Sequence, residues 1–98
     1  MTMRLPADPA ALLAKAIAQH TQGCSFQLGQ LRTRPWVSAT FEGQRVEIEL
    51  NGVEPGAAWL AELPETELKV RRHYVADLVV LATGPSSVRV EALLLLDL

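Results

Sequence analysis

The apolar positions of this chain change period several times, and each change marks an element. In DPAALLAKAIAQHTQG, Leu13, Ala16, Ile17 and His20 recur at helical spacing as one stripe, with Leu12 beside it. Asp8 suits the residue before a helix, Pro9 suits the first helical position, and Gly23 suits the stop. The pattern predicts an amphipathic helix that lays its stripe on a sheet.

Beyond Gly23 the period falls to two. SFQLGQL alternates Phe26 with Leu28, and RTRP interrupts it because Pro35 has no N–H for a ladder. WVSATFEGQRVEIEL then reads as a hairpin turning at Glu42-Gly43. That register sets Phe41 against Gln44, Ala39 against Val46 and Val37 against Ile48 on an inner face. It leaves Thr40–Arg45, Ser38–Glu47 and Trp36–Glu49 outside. NGVEPGAAWLAELPETE follows as turn, short helix and turn, anchored by Leu60, Leu63 and Trp59, which is given a structural role. Strands are expected again over 68–82 and 88–96, separated by TGPSS.

The order α-β-β-(β)-α-β-β predicts an α+β fold, a two-layer sandwich in which an antiparallel sheet of four or five strands carries two helices. If 25–41 forms one bent strand, the chain reads as two loose copies of helix-plus-hairpin, although no residue-level repeat is evident. One domain is expected over 1–98, with 1–7 as a flexible leading segment.

LKVRRHYVADLVVLA, residues 68–82, places polar residues inside an apolar run. Such a length exceeds the usual strand of about 5–6 residues, so a bulge or bend is expected near His73–Ala76. Period two puts Lys69, Arg71, His73 and Asp77 on one side. Asp77 is expected to be a buried carboxylate satisfied by Arg89 or by free N–H groups at the bulge, and so structural rather than catalytic.

Composition narrows the function. Ninety-eight residues, 49% of them hydrophobic, supply one modest core without staples. A net charge of −2 disfavours a dedicated nucleic-acid binder. Cys24 is the only cysteine, which excludes an internal disulfide and fits a reducing, cytoplasmic setting. The leading MTMRLPADPAALLAK lacks the apolar core of a secretion signal, and no apolar run approaches the ~20 residues of a membrane span.

Catalytic signatures are weak. Cys24 with His73 or His20 and Asp77 has the residue types of a hydrolytic trio without any supporting spacing. The histidines and the cysteine lack metal-ligand spacing, the glycines stand singly, and no cofactor or metal is expected. The arginines carry more. Arg34, Trp36 and Arg45, with Arg72 and His73, are candidate ligand-binding residues, because guanidinium groups beside an exposed indole suit an anion or a stacked base.

VRVEALLLLDL runs apolar on both faces from Leu93 to Leu96. Such a terminal strand is central in the sheet, covered, or paired with a second chain. The leading expectation is therefore a non-catalytic interaction or assembly module, a homodimer or the binder of another protein, with no membrane partner. Beside it stand a small anionic ligand or single-stranded nucleic acid on the Trp/Arg surface, and a small enzyme with a pocket at His73 and Asp77.

Overall fold

A computed structural model describes residues 8–21 and 26–97; Gly23, Cys24 and the leading segment 1–7 lie outside the described residues. Helix α1, Pro9–His20, begins as its sequence dictates, with Asp8 Oδ1 accepting the Ala10 amide at 2.9 Å and Pro9 in the first turn. Ala10, Leu13, Ala14, Ala16 and Ile17 are buried. The inward series continues to Thr21, which is buried, while His20 turns to solvent. His20 therefore leaves the expected stripe, because spacings of three and four from Ala10 through Ile17 reach Thr21 instead.

Strands β1, Gln27–Val37, and β2, Glu42–Asn51, form the first hairpin. Helix α2, Ala58–Glu62, continues as a 3-10 turn over Leu63–Glu65 and buries Leu60 and Leu63. Trp59 packs against the core and stacks on Phe26 with ring centroids 6.5 Å apart. Strands β3, His73–Gly84, and β4, Ser87–Leu96, complete the chain through a turn at Pro85-Ser86. The result is an α+β sandwich of order α-β-β-α-β-β, whose four antiparallel strands are arranged β1-β2-β4-β3. Pro35 sits within β1 without breaking it, because β1 is an edge strand and loses no ladder bond there.

The first hairpin has a different register from the expected one. Val37 pairs with Glu42 and Trp36 with Gly43, and the connection is Ser38–Phe41. Ser38 closes that loop: its amide donates to the Phe41 carbonyl at 2.8 Å, and its hydroxyl oxygen accepts the Phe41 amide at 3.0 Å. The slide is by an even number of residues, so the residues that remain paired keep their faces. Ala39 and Phe41, however, pass into the loop and, with Val37 at the strand end, are exposed rather than inside. Val46, Ile48 and Leu50 stay inside; Arg34, Trp36 and Arg45 stay outside. Gly43 is not a turn residue. It is buried in β2 where an added Cβ would run into the Leu94 carbonyl oxygen of β4.

The terminal strand is central, with β2 on one side and β3 on the other. Leu94 is buried against the helices, and Leu93 and Leu95 are half-buried on the opposite face. Its apolar character is thus accounted for by its place in the sheet, and an assembly that paired through its edge is ruled out.

The β2–β4 pairing also exposes an internal repeat. Glu47 pairs with Glu91, and outward from that point Arg45-Val46-Glu47 matches Arg89-Val90-Glu91. With one extra residue in the second copy, the helix segments also align, DPAALLA against EPGAAWLA, bringing Leu13 onto Leu60 as core residues. Each edge strand has a bulge at the same place, between Leu28 and Leu31 in β1 and between Val75 and Asp77 in β3. Two helix-plus-hairpin units are therefore related by an approximate two-fold axis between Glu47 and Glu91. The repeat escapes a reading along the chain because the second hairpin loop is shorter and the matched triplets sit on different strands.

Candidate functional site

Directly paired residues on neighbouring strands share a face. The inner face is closed by the core of Leu13, Ile17, Leu60 and Leu63 against Val46, Ile48, Leu50, Val90 and Leu94. Among the described residues, nothing packs on the outer face. Across its strands one row reads Trp36, Gly43, Leu95, Tyr74; the next reads Arg34, Arg45, Leu93, Asp77; the third reads Arg32, Glu47, Glu91, Val79.

The repeat shows how the two edges have diverged. Arg32, opposite Glu47, corresponds to Val79, opposite Glu91; Arg34, opposite Arg45, corresponds to Leu81, opposite Arg89. One edge is basic with a tryptophan, and the other is apolar.

On the basic edge, Arg34 and Arg45 face each other directly across the β1–β2 ladder. Like charges in that position destabilise a sheet. The sequence offers Arg45 a remedy, since its repeat counterpart Arg89 donates from Nε to Glu91 Oε2 at 2.9 Å. That is the only ion pair among the described residues, and the equivalent Arg45–Glu47 pair does not form. Arg34, Pro35, Trp36 and Arg45 together line a depression of about 260 Å³.

The five candidate ligand residues thus divide. Arg34, Trp36 and Arg45 converge, whereas Arg72 and His73 lie at the opposite edge of the sheet, where the chain enters β3. Arg72 occupies the left-handed region at φ 64° in a tight turn that the His73 amide closes onto the Val70 carbonyl at 3.0 Å. The Arg71 carbonyl accepts from His73 Nδ1 at 2.8 Å, so Nδ1 carries a proton. His73 borders a cleft of about 380 Å³ together with Glu67, Lys69, Val70 and Tyr74.

Asp77 does not join that cleft. The expected bulge is present between Val75 and Asp77, and its extra residue turns Leu78 inward and Asp77 outward. Asp77 is exposed rather than buried, and Arg89 is engaged by Glu91. A pocket shared by His73 and Asp77 is therefore excluded by their opposite faces.

At the start of β3, Tyr74 donates its hydroxyl to Asp97 Oδ1 at 2.9 Å. This hydrogen bond, then the carboxylate's charge and a small contribution from burial, raise the phenol above its ordinary pKa. Farther along, Val79 and Leu81 are exposed on the outer face of the apolar edge. Neither stood out in sequence: an uncharged run such as Leu78–Ala82 looks like any core strand until the strand order places it at an edge.

Among the described residues no His, Cys, Asp and Glu side chains gather as metal ligands, and no helix is long and apolar enough to cross a membrane. No known family model matches the chain, and neither a curated protein nor a solved structure matches it.

Proposed function

We propose that this protein is a non-catalytic assembly module that pairs with a second copy of itself along the free edge of β3. The observation that carries the reading is the contrast between its two sheet edges. A bare edge strand is a template for further pairing unless something blunts it. β1 is blunted by Pro35, by arginines 32 and 34, and by its bulge. β3 has register shifts of its own, at Val75–Asp77 and Ala82–Gly84, but between them Leu78 to Ala82 carry no charge or proline, and Val79 and Leu81 are 42% and 38% exposed.

A second copy is the occupant this edge suits. Antiparallel pairing about Val80 sets Val79 against Leu81 of the second copy on the outer face, and the reverse, closing an apolar strip. The only charged residue of the strand, Asp77, falls opposite Thr83 of the second copy, so no like charges meet. The two-fold operation keeps the helices of both copies on one side of a continuous eight-stranded sheet, twice the four strands of one chain. The single cysteine fits the cytoplasmic setting in which such a dimer would work.

Sedimentation equilibrium tests the reading. The wild-type chain is expected at twice its own mass, and Leu81→Lys at single mass with an unchanged circular-dichroism spectrum and melting curve. A wild-type monomer, or a dimer indifferent to both Leu81→Lys and Val79→Lys, would sink it.

A further inference from the structure

We infer that Arg34, Trp36 and Arg45 form a binding site for a small oxyanion carried on a flat aromatic ring, the chemistry of a nucleoside monophosphate or an aromatic carboxylate. This site lies on the edge away from β3 and stands independently of the assembly reading.

Three observations converge. First, the Arg34–Arg45 pair places two guanidinium groups on residues whose Cα atoms are about 4.5–5.5 Å apart, close enough for both to reach one oxyanion. Their planar forks match a phosphate or carboxylate in bidentate fashion. Second, the arrangement is unfavourable without an anion, and the repeat supplies an internal control. The same Arg-Val-Glu triplet pairs internally as Arg89–Glu91 yet leaves Arg45 facing Arg34. A local choice that costs stability while a satisfied alternative exists is the pattern of a functional position. Third, Trp36 is half-buried on the same face and lines the same depression, where an indole offers a stacking surface to a ring beside the arginines.

Size and surroundings restrict the ligand. About 260 Å³ accommodates one ring system and its oxyanion. Glu47 and Glu49 follow on the outer face of β2, so the positive region ends within a row or two. A nucleic-acid strand would carry its next phosphates onto those carboxylates, which favours a single charged group over a polyanion.

Tryptophan fluorescence tests the site. In a Trp59→Phe background, where Trp36 is the only tryptophan and is excited selectively over Tyr74, adenosine monophosphate and benzoate serve as aromatic oxyanion probes, with adenosine and inorganic phosphate as their separate parts. One or both aromatic oxyanions should quench Trp36 saturably, and the ring or phosphate alone should bind more weakly. Arg34→Gln and Arg45→Gln should each weaken binding about tenfold or more, without lowering the melting temperature. Which probe binds distinguishes phosphate from carboxylate. If Trp59→Phe unfolds the protein, the Trp36 indole N–H resonance of the wild type reports the same titration. The inference is overturned if neither aromatic oxyanion binds, if binding ignores both arginine substitutions, or if oligothymidylate binds in proportion to its length.

Discussion

Thr33 donates its hydroxyl to Asp8 Oδ1 over 2.6 Å, and the same oxygen accepts the amide of Ala10. One carboxylate oxygen thus starts α1 and fastens that start to the inner face of β1. Asp8→Ala is expected to cost about 1–2 kcal/mol, because the cap and the strand contact are lost together. Asp8→Asn keeps an accepting oxygen and should cost less, and Thr33→Val should remove only the strand contact. Urea denaturation of the three variants separates these contributions.

Gly43 and Gly56 make a contrasting pair. An added Cβ at Gly43 meets the Leu94 carbonyl oxygen and crowds Leu95, both on β4 backbone that cannot move without opening the β2–β4 ladder. Gly43→Ala is therefore expected to destabilise by about 1–3 kcal/mol, the range for forcing an extra carbon into a packed site. At Gly56 nothing lies within 4 Å of an added Cβ. Gly56→Ala should be neutral or stabilise by up to about 1 kcal/mol, through fewer unfolded conformations. Thermal melts of both variants give the comparison, and equal effects would mean that the close approach at Gly43 is absent.

Arg72 holds a conformation that suits glycine or asparagine. Its positive φ falls at the third position of the Val70–His73 turn, where a Cβ is strained, and its backbone carbonyl alone accepts the Asp97 amide at 2.8 Å. Arg72→Gly should raise stability by about 0.5–1 kcal/mol, and Arg72→Val should lower it by a similar amount. Because Arg72 stands at the far edge from Arg34 and Arg45, the glycine variant should bind adenosine monophosphate as the wild type does. A stability loss in Arg72→Gly would show that its guanidinium contributes contacts that outweigh the backbone strain.

Most of the fold was legible because it is written locally. Asp8 and Pro9 open α1, Leu60 and Leu63 anchor α2 and the turn after it, and alternation identifies the inner residues of β2 whatever the register, whereas β4 reads as apolar on both faces. Register itself was not legible in the first hairpin, since sliding by an even number of residues leaves Val46, Ile48 and Leu50 inside and the pattern unchanged. The same parity argument put Trp36 and Arg45 on one face, but the expected register set them opposite Glu49 and Thr40, and only the observed register brings Arg34 opposite Arg45 beside Trp36. Parity failed at Asp77, where a single bulge residue reverses the alternation and brings Leu78 in instead. Strand order comes from contacts between distant segments, so nothing along the chain marked β3 as the open edge or β4 as the centre. The repeat needed that order too, because Glu47 and Glu91 become neighbours only across the middle of the sheet.

Tyr74 provides a pH test of the link between the start of β3 and the end of β4. The carboxylate of Asp97 accepts its hydroxyl and raises the phenol above its ordinary value near 10.0. A group whose folded pKa lies above its unfolded value binds its proton more tightly in the folded state. Its contribution to stability is then complete below about pH 10 and is lost as the pH rises through the folded value. Stability measured by urea denaturation should accordingly fall with increasing pH in the alkaline range in the wild type, with a shallower fall in Tyr74→Phe. Because Tyr74 is the only tyrosine, phenolate absorbance titrates it alone. Asp97→Asn should bring that titration back toward the ordinary tyrosine value, and an unchanged midpoint would mean that the Tyr74–Asp97 bond does not hold in solution.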